Sequence, residues 1–160
     1  MKTIKGNLLS LADAGEFDII VHGCNCFCKM GAGIAKEIRR RYPQAYEADC
    51  QTTVGDLTKL GTLTHAHALM SSGKELLIIN AYTQYGVAGY AGQDVVDYGA
   101  IRSVFCKLAR LCKTVAWAGC RVGIPMIGAG LAGGKWDAIY RIIEDEMDGI
   151  DITVVEYDGS

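Results

Sequence analysis

The sequence predicts an α/β domain, a sheet with helices on both faces. Short apolar runs, such as Ile19-Ile20-Val21 and Leu76-Leu77-Ile78-Ile79, alternate along the chain with segments of helical period. Two glycine-bearing turns, Gly31-Ala32-Gly33 and Gly128-Ala129-Gly130, each follow an expected strand and precede an expected helix. The alternation carries through 160 residues without an internal repeat or a linker, so residues 1–160 read as a single domain.

Taken in order, Met1 to Lys5 reads as a first strand closed by Gly6-Asn7, and Leu8 to Gly15 as a connection with weak helical character. Phe17 to Val21 is uniformly apolar and lacks alternation, which places it at the centre of the sheet. A helix runs from about Gly33 to Tyr42, with Ile34, Ala35, Ile38 and Tyr42 on one side. Pro43 stops it and suits the first turn of a second short helix. Gly61 to Ala68 alternates as a strand with one wetter face, and Glu75 to Ala81 is another buried strand. Tyr82 to Gln93 carries Gly86, Gly89 and Gly92 and is long enough to be a binding loop. Asp94 to Cys112 is the clearest helix, with Ile101, Val104, Phe105, Leu108 and Leu111 inward. A strand at Arg121 to Ile124, a helix from Trp136 to Met147 and a β-branched strand from Ile152 to Tyr157 finish the chain.

Half of the residues are apolar and 21% charged, a globular balance, and the net charge of −2 gives no basic footprint. Nucleic acid is therefore not expected as the main partner, nor is a membrane, since the apolar runs are too short to span one. Arg39-Arg40-Arg41 reads as a solvated helix face. Seven cysteines, with Cys24, Cys26 and Cys28 too tightly alternated to bridge one another, suggest free thiols in a reducing compartment. Without a signal-peptide pattern at the N-terminus, a cytoplasmic monomer is expected.

The stretch from Val21 to Ala35 concentrates the chemistry: a buried strand ends in polar and cysteine side chains, turns through glycine and starts a helix. Ligands of open α/β folds bind at such strand ends, and helix N-termini attract anions. Glycine admits positive φ and lets a ligand approach the N–H groups, so two such loops can grip a diphosphate from both sides. Gly128, Gly130 and Gly133 also match a dinucleotide fingerprint, but too little chain follows for the further strands a Rossmann unit needs. His22, Cys24, Cys26 and Cys28 lack the spacing of a zinc site, and no metal is expected; the three cysteines read as small buried packing groups. A cysteine nucleophile is open in principle, though nothing in the sequence brings His65 or His67 near Cys24. His22 is either a buried, hydrogen-bonded histidine or an acid, base or nucleophile for phosphoryl transfer. Asn25, with a donor and an acceptor, suits a sugar hydroxyl.

These residues resemble a macro domain, the ADP-ribose-binding module. Val21-His22-Gly23-Cys24-Asn25, then Met30-Gly31-Ala32-Gly33-Ile34-Ala35, is similar to the family pattern V-N-A-A-N followed by G-G-G-V/I-A. Lys5-Gly6-Asn7, Pro125 to Leu131 and the final strand Ile152 to Val155 resemble further family elements. Within the family, His-x-Cys-Asn-Cys, Gly-x-Gly-Ile-Ala and Arg41-Tyr42-Pro43 resemble the fungal-type ADP-ribose-1″-phosphate phosphatases. The resemblance implies a three-layer α/β/α sandwich around a mixed sheet, with ADP-ribose or its 1″-phosphate across the strand ends and no cofactor. It implies that Asn7 accepts from the adenine amino group, with Tyr157 near the adenine. Residues 31 to 35 (Gly31, Ala32, Gly33, Ile34, Ala35) and 127 to 131 (Ile127, Gly128, Ala129, Gly130, Leu131) would wrap the diphosphate and distal ribose. Asn25 would orient that ribose, and His22 would take part in removing the 1″-phosphate. Hydrolases that strip ADP-ribose from proteins often carry an aspartate where this chain has Ala35, and a second branch has one at the position of Ala132 with a lysine on the preceding variable loop.

Three functions follow from this reading. The leading one is a metal-independent phosphatase acting on ADP-ribose-1″-phosphate. The alternatives are a non-catalytic ADP-ribose-binding module and a hydrolase acting on ADP-ribosylated protein or nucleic acid, for which Asp94 is the acidic candidate near the variable loop.

Overall fold

A computed structural model describes residues 1–87 and 95–160. Six strands, β1 (Lys2–Gly6), β2 (Ile19–Cys24), β3 (Leu63–Leu69), β4 (Glu75–Tyr82), β5 (Arg121–Ile124) and β6 (Asp151–Tyr157), form a single sheet in the order β1-β6-β5-β2-β4-β3. Neighbours run parallel except β3, which is antiparallel to β4. The sheet is therefore mixed, with β2 in its interior as its uniform apolarity requires.

Among the described residues five α-helices cover both faces: α1 (Leu8–Asp13), α2 (Gly33–Arg41), α3 (Pro43–Cys50), α4 (Tyr98–Cys112) and α5 (Trp136–Glu146). Strand side chains alternate between faces, so each residue's parity assigns its layer. Ile19 and Val21 of β2 pack with Ile101, Val104, Phe105 and Leu108 of α4 and with Ile139 and Ile143 of α5. Ile20, between them, packs on the other face with Leu8, Leu9 and Ala12 of α1, Ile38 of α2 and Ala45 of α3. The result is a three-layer α/β/α sandwich. No helix among the described residues is long and apolar enough to cross a membrane.

Three boundaries differ from the sequence reading. Leu8–Asp13 is a true helix, because Asn7 caps it: Asn7 Oδ1 accepts from the Leu9 and Ser10 N–H groups at 3.1 Å. Strand β2 continues through Cys24, so His22 lies inside it and is not its last residue. Helix α4 begins at Tyr98, where Asp97 Oδ1 accepts from Ala100 N at 2.8 Å. The expected glycine loop is described only in part; Gly89, Gly92, Gln93 and Asp94 lie outside the described residues.

Candidate functional site

The carboxyl ends of the parallel strands open on two cavities of about 690 and 640 Å³ that share Gly33, Ile34 and Pro125 in their walls. Together they make one groove along the N-terminal end of α2. Its middle is built by the two glycine loops. All of Gly31, Ala32, Gly33, Ile34 and Ala35 line the larger cavity, and so do Ile127, Gly128, Gly130 and Leu131. Ala129 does not; it packs against the core beneath.

Backbone geometry explains why these loops carry glycine. Gly33, at φ +56°, opens α2 in the left-handed region, and a Cβ built there would lie 4.0 Å from Leu131 Cδ1 of the opposing loop. Gly128 sits at φ +75°, and Gly134 donates its N–H to Gly128 O at 2.8 Å, so close that a Cβ on Gly134 would fall 2.6 Å from that oxygen. Ala32 offers no side-chain cap to α2. The N–H groups of Gly33, Ile34 and Ala35 therefore have no acceptor within the helix, and those of Gly130, Leu131 and Ala132 find none among the described residues. Two sets of free donors, one backed by a helix dipole, border the same groove. That is an arrangement for an extended anion.

The two ends differ. Asn7 and Tyr157 line the smaller cavity, next to each other because β1 pairs with β6 in a register that aligns Gly6 with Tyr157. Asn7 Oδ1 is already engaged as the cap of α1, and its Nδ2 donates to Ser160 O at 3.0 Å. Tyr157 is 68% exposed, a ring free to stack. At the other end, Asn25 lines the larger cavity while holding its own loop: Oδ1 accepts from Phe27 N at 2.9 Å and Nδ2 donates to Lys29 O at 2.8 Å. The amide keeps one further hydrogen for a ligand.

His22 is elsewhere. It is 0% exposed and lines neither cavity. Sharing the parity of Ile20, it lies on the α1–α3 side of the sheet, with Nε2 2.7 Å from Asn80 Oδ1; Asn80 Nδ2 donates on to Ala45 O of α3 at 2.8 Å. Burial pushes its pKa down to about 4, against a smaller opposing effect of the Asn80 hydrogen bond, so the ring is neutral at physiological pH.

Several residues of the site are not assigned to it by the sequence. Arg39 and Tyr46 line the larger cavity, and Arg40 and Arg41 the smaller, so the arginine run read as a solvated face flanks the groove. Cys24 and Cys26 are buried packing groups, as expected, but Cys28 reaches the cavity wall in a left-handed conformation, φ +56°. Beneath it lies a buried ammonium: Lys59 Nζ donates to Cys26 O at 3.2 Å, approaches Cys28 Sγ at 3.7 Å and sits 4.7 Å from the centre of the Tyr82 ring. Tyr82 donates to Asp49 Oδ1 at 2.8 Å, and Asp49 is itself buried, which raises its pKa. Among the described residues the larger cavity is lined by the cations Lys29 and Arg39 and by no carboxylate or imidazole; Ala35 and Ala132 both belong to its wall.

The Macro domain family model matches residues 21–143, which include both loops and Asn25. The chain belongs to the macro domain family. This macro domain is 32% identical over 99% of its length to an uncharacterised 17.5 kDa protein of Enterobacteria phage T4, covering 97% of that protein. It is 25% identical over 94% of its length to the ADP-ribose 1″-phosphate phosphatase of Candida albicans, covering 96% of it. Its fold is similar to that of Thermosipho africanus DarTG, solved in complex with ADP-ribose, with a TM-score of 0.73 and 13% identity over 96% of this chain and 40% of the other.

Proposed function

We propose that this macro domain binds ADP-ribose-1″-phosphate and releases its terminal phosphate. The observation that carries the reading is the pair of glycine loops, whose N–H groups, unpaired among the described residues, border one groove between a base-sized end at Asn7 and Tyr157 and a cationic end at Asn25 and Arg39. The diphosphate lies between the loops, the adenine over Tyr157 and the distal ribose at Asn25. Support from relatives is of two kinds: the Candida albicans protein is a phosphatase of that substrate, and the Thermosipho africanus structure of similar fold holds ADP-ribose.

Phosphoryl transfer passes through a loose transition state, in which positioning and charge stabilisation do most of the work. Water adds to phosphorus as the bond to the 1″ oxygen breaks, giving ADP-ribose and inorganic phosphate. Asn25 orients the ribose, the cationic end stabilises charge on the transferring phosphoryl group, and a proton from the attacking water ends on the 1″ oxygen of the departing ADP-ribose. His22, buried behind Asn80, serves as a positioning residue that fixes the strand presenting Asn25.

A specific observation favours a second reading, a module that binds ADP-ribose without turning it over: no carboxylate or imidazole lines the larger cavity among the described residues. Incubation of the purified protein with ADP-ribose-1″-phosphate, with inorganic phosphate as the readout, separates the two. Phosphate release that falls in Asn25→Ala supports the phosphatase. Calorimetric binding of ADP-ribose without phosphate release supports the module.

A further inference from the structure

We propose that Arg39, stacked on Tyr46, selects ligands bearing a phosphate monoester on the distal ribose over the same ligands without it. The inference rests on the placement of ADP-ribose proposed above.

Arg39, Arg40 and Arg41 are successive on α2, and a helix turns them about 100° apart. They part accordingly. Arg40 and Arg41 line the cavity of Asn7 and Tyr157, and Arg40 is tied to Glu37, with Nη2 to Oε2 at 2.9 Å. Arg39 lines the cavity of Asn25 and has no ion-pair partner among the described residues. Its guanidinium carbon lies 3.9 Å from the centre of the Tyr46 ring. Stacking covers a face of the guanidinium and leaves the N–H groups at its edge free, the geometry that receives a phosphate by two parallel hydrogen bonds.

The surroundings favour an anion there. Asn25 and Lys29 line the same cavity, with no carboxylate among its described residues to neutralise the two cations. Tyr46 is itself anchored, packed against the buried group of Cys24, Cys26, Met30 and Tyr82, so the platform for Arg39 is fixed. The glycine loops supply donors for the central diphosphate, and Arg39 supplies charge beyond the distal ribose. A terminal phosphate, at about −1.5 to −2 charge near neutral pH, matches that site; a free ribose hydroxyl does not.

The test compares parent, Arg39→Gln, Arg39→Lys and Tyr46→Leu on two ligands: ADP-ribose by calorimetry, and ADP-ribose-1″-phosphate by kcat/KM or, where no phosphate is released, by calorimetry. The expected result for Arg39→Gln is a loss for the phosphorylated ligand about tenfold or more greater than its loss for ADP-ribose. Arg39→Lys, which keeps the charge and loses the fork, falls between, and Tyr46→Leu follows Arg39→Gln in direction. An equal loss on both ligands, or no loss on either, overturns the proposal while leaving the ADP-ribose reading intact. A parent that binds neither ligand refutes that underlying reading instead.

Discussion

His22 supplies a stability prediction whose size follows from its burial. The ring is fully enclosed and its pKa is pushed down to about 4, against 6.5 for a free histidine. The unfolded chain therefore binds a proton between pH 6.5 and 4 that the folded chain refuses. Stability from this residue is complete above pH 6.5 and is lost as pH falls toward 4. Between pH 7 and pH 5 the loss is roughly 2 kcal/mol, or about 4–8 °C in Tm for a chain of this size. Asp49, whose pKa is raised by burial, acts in the opposite sense, so the comparison is made against a variant that keeps Asp49. Thermal unfolding of the parent and of His22→Gln at pH 7 and pH 5 isolates the histidine: the parent loses about 2 kcal/mol more than the variant over that interval. If both lose the same amount, His22 protonates in the folded protein and the buried placement is wrong. NMR of the parent gives a second reading, with the His22 imidazole still neutral at pH 5.

Two further predictions concern the loops. Gly134→Ala places a methyl group against Gly128 O and the Val96 and Ile139 side chains, and should cost roughly 1–3 kcal/mol while weakening ADP-ribose binding, because Gly128 moves with the loop. Parent-like Tm and affinity would contradict it. Lys59→Met leaves the Cys26 carbonyl without its buried donor and should cost roughly 1–3 kcal/mol; parent-like urea unfolding would contradict it.

Local requirements were legible in the sequence, and distant ones were not. The glycine loops could be read because positive φ at Gly33 and Gly128 is a demand of the immediate backbone. The order of strands and helices followed from periodicity. Asn7 held a readable signal, a cap residue before Leu8-Leu9, which would have turned a weak connection into α1. His22 was different: its hydrogen-bond partner Asn80 is 58 residues away and becomes its neighbour only through the pairing of β2 with β4. The same holds for Lys59 beneath Cys28, brought there by a short turn between α3 and β3. Arg39 was hidden by its neighbours, since three like charges in a row look like solvent-facing surface until the orientation of α2 assigns them to opposite ends of the groove.

In the proposed complex two glycine loops hold a diphosphate between a base and a distal ribose. Calorimetric titration of the protein with ADP-ribose and, separately, with AMP tests it most directly. A single ADP-ribose site is expected, with much weaker binding of AMP, which lacks the second phosphate and the distal ribose. Equal affinity for the two, or no heat from ADP-ribose, would contradict it.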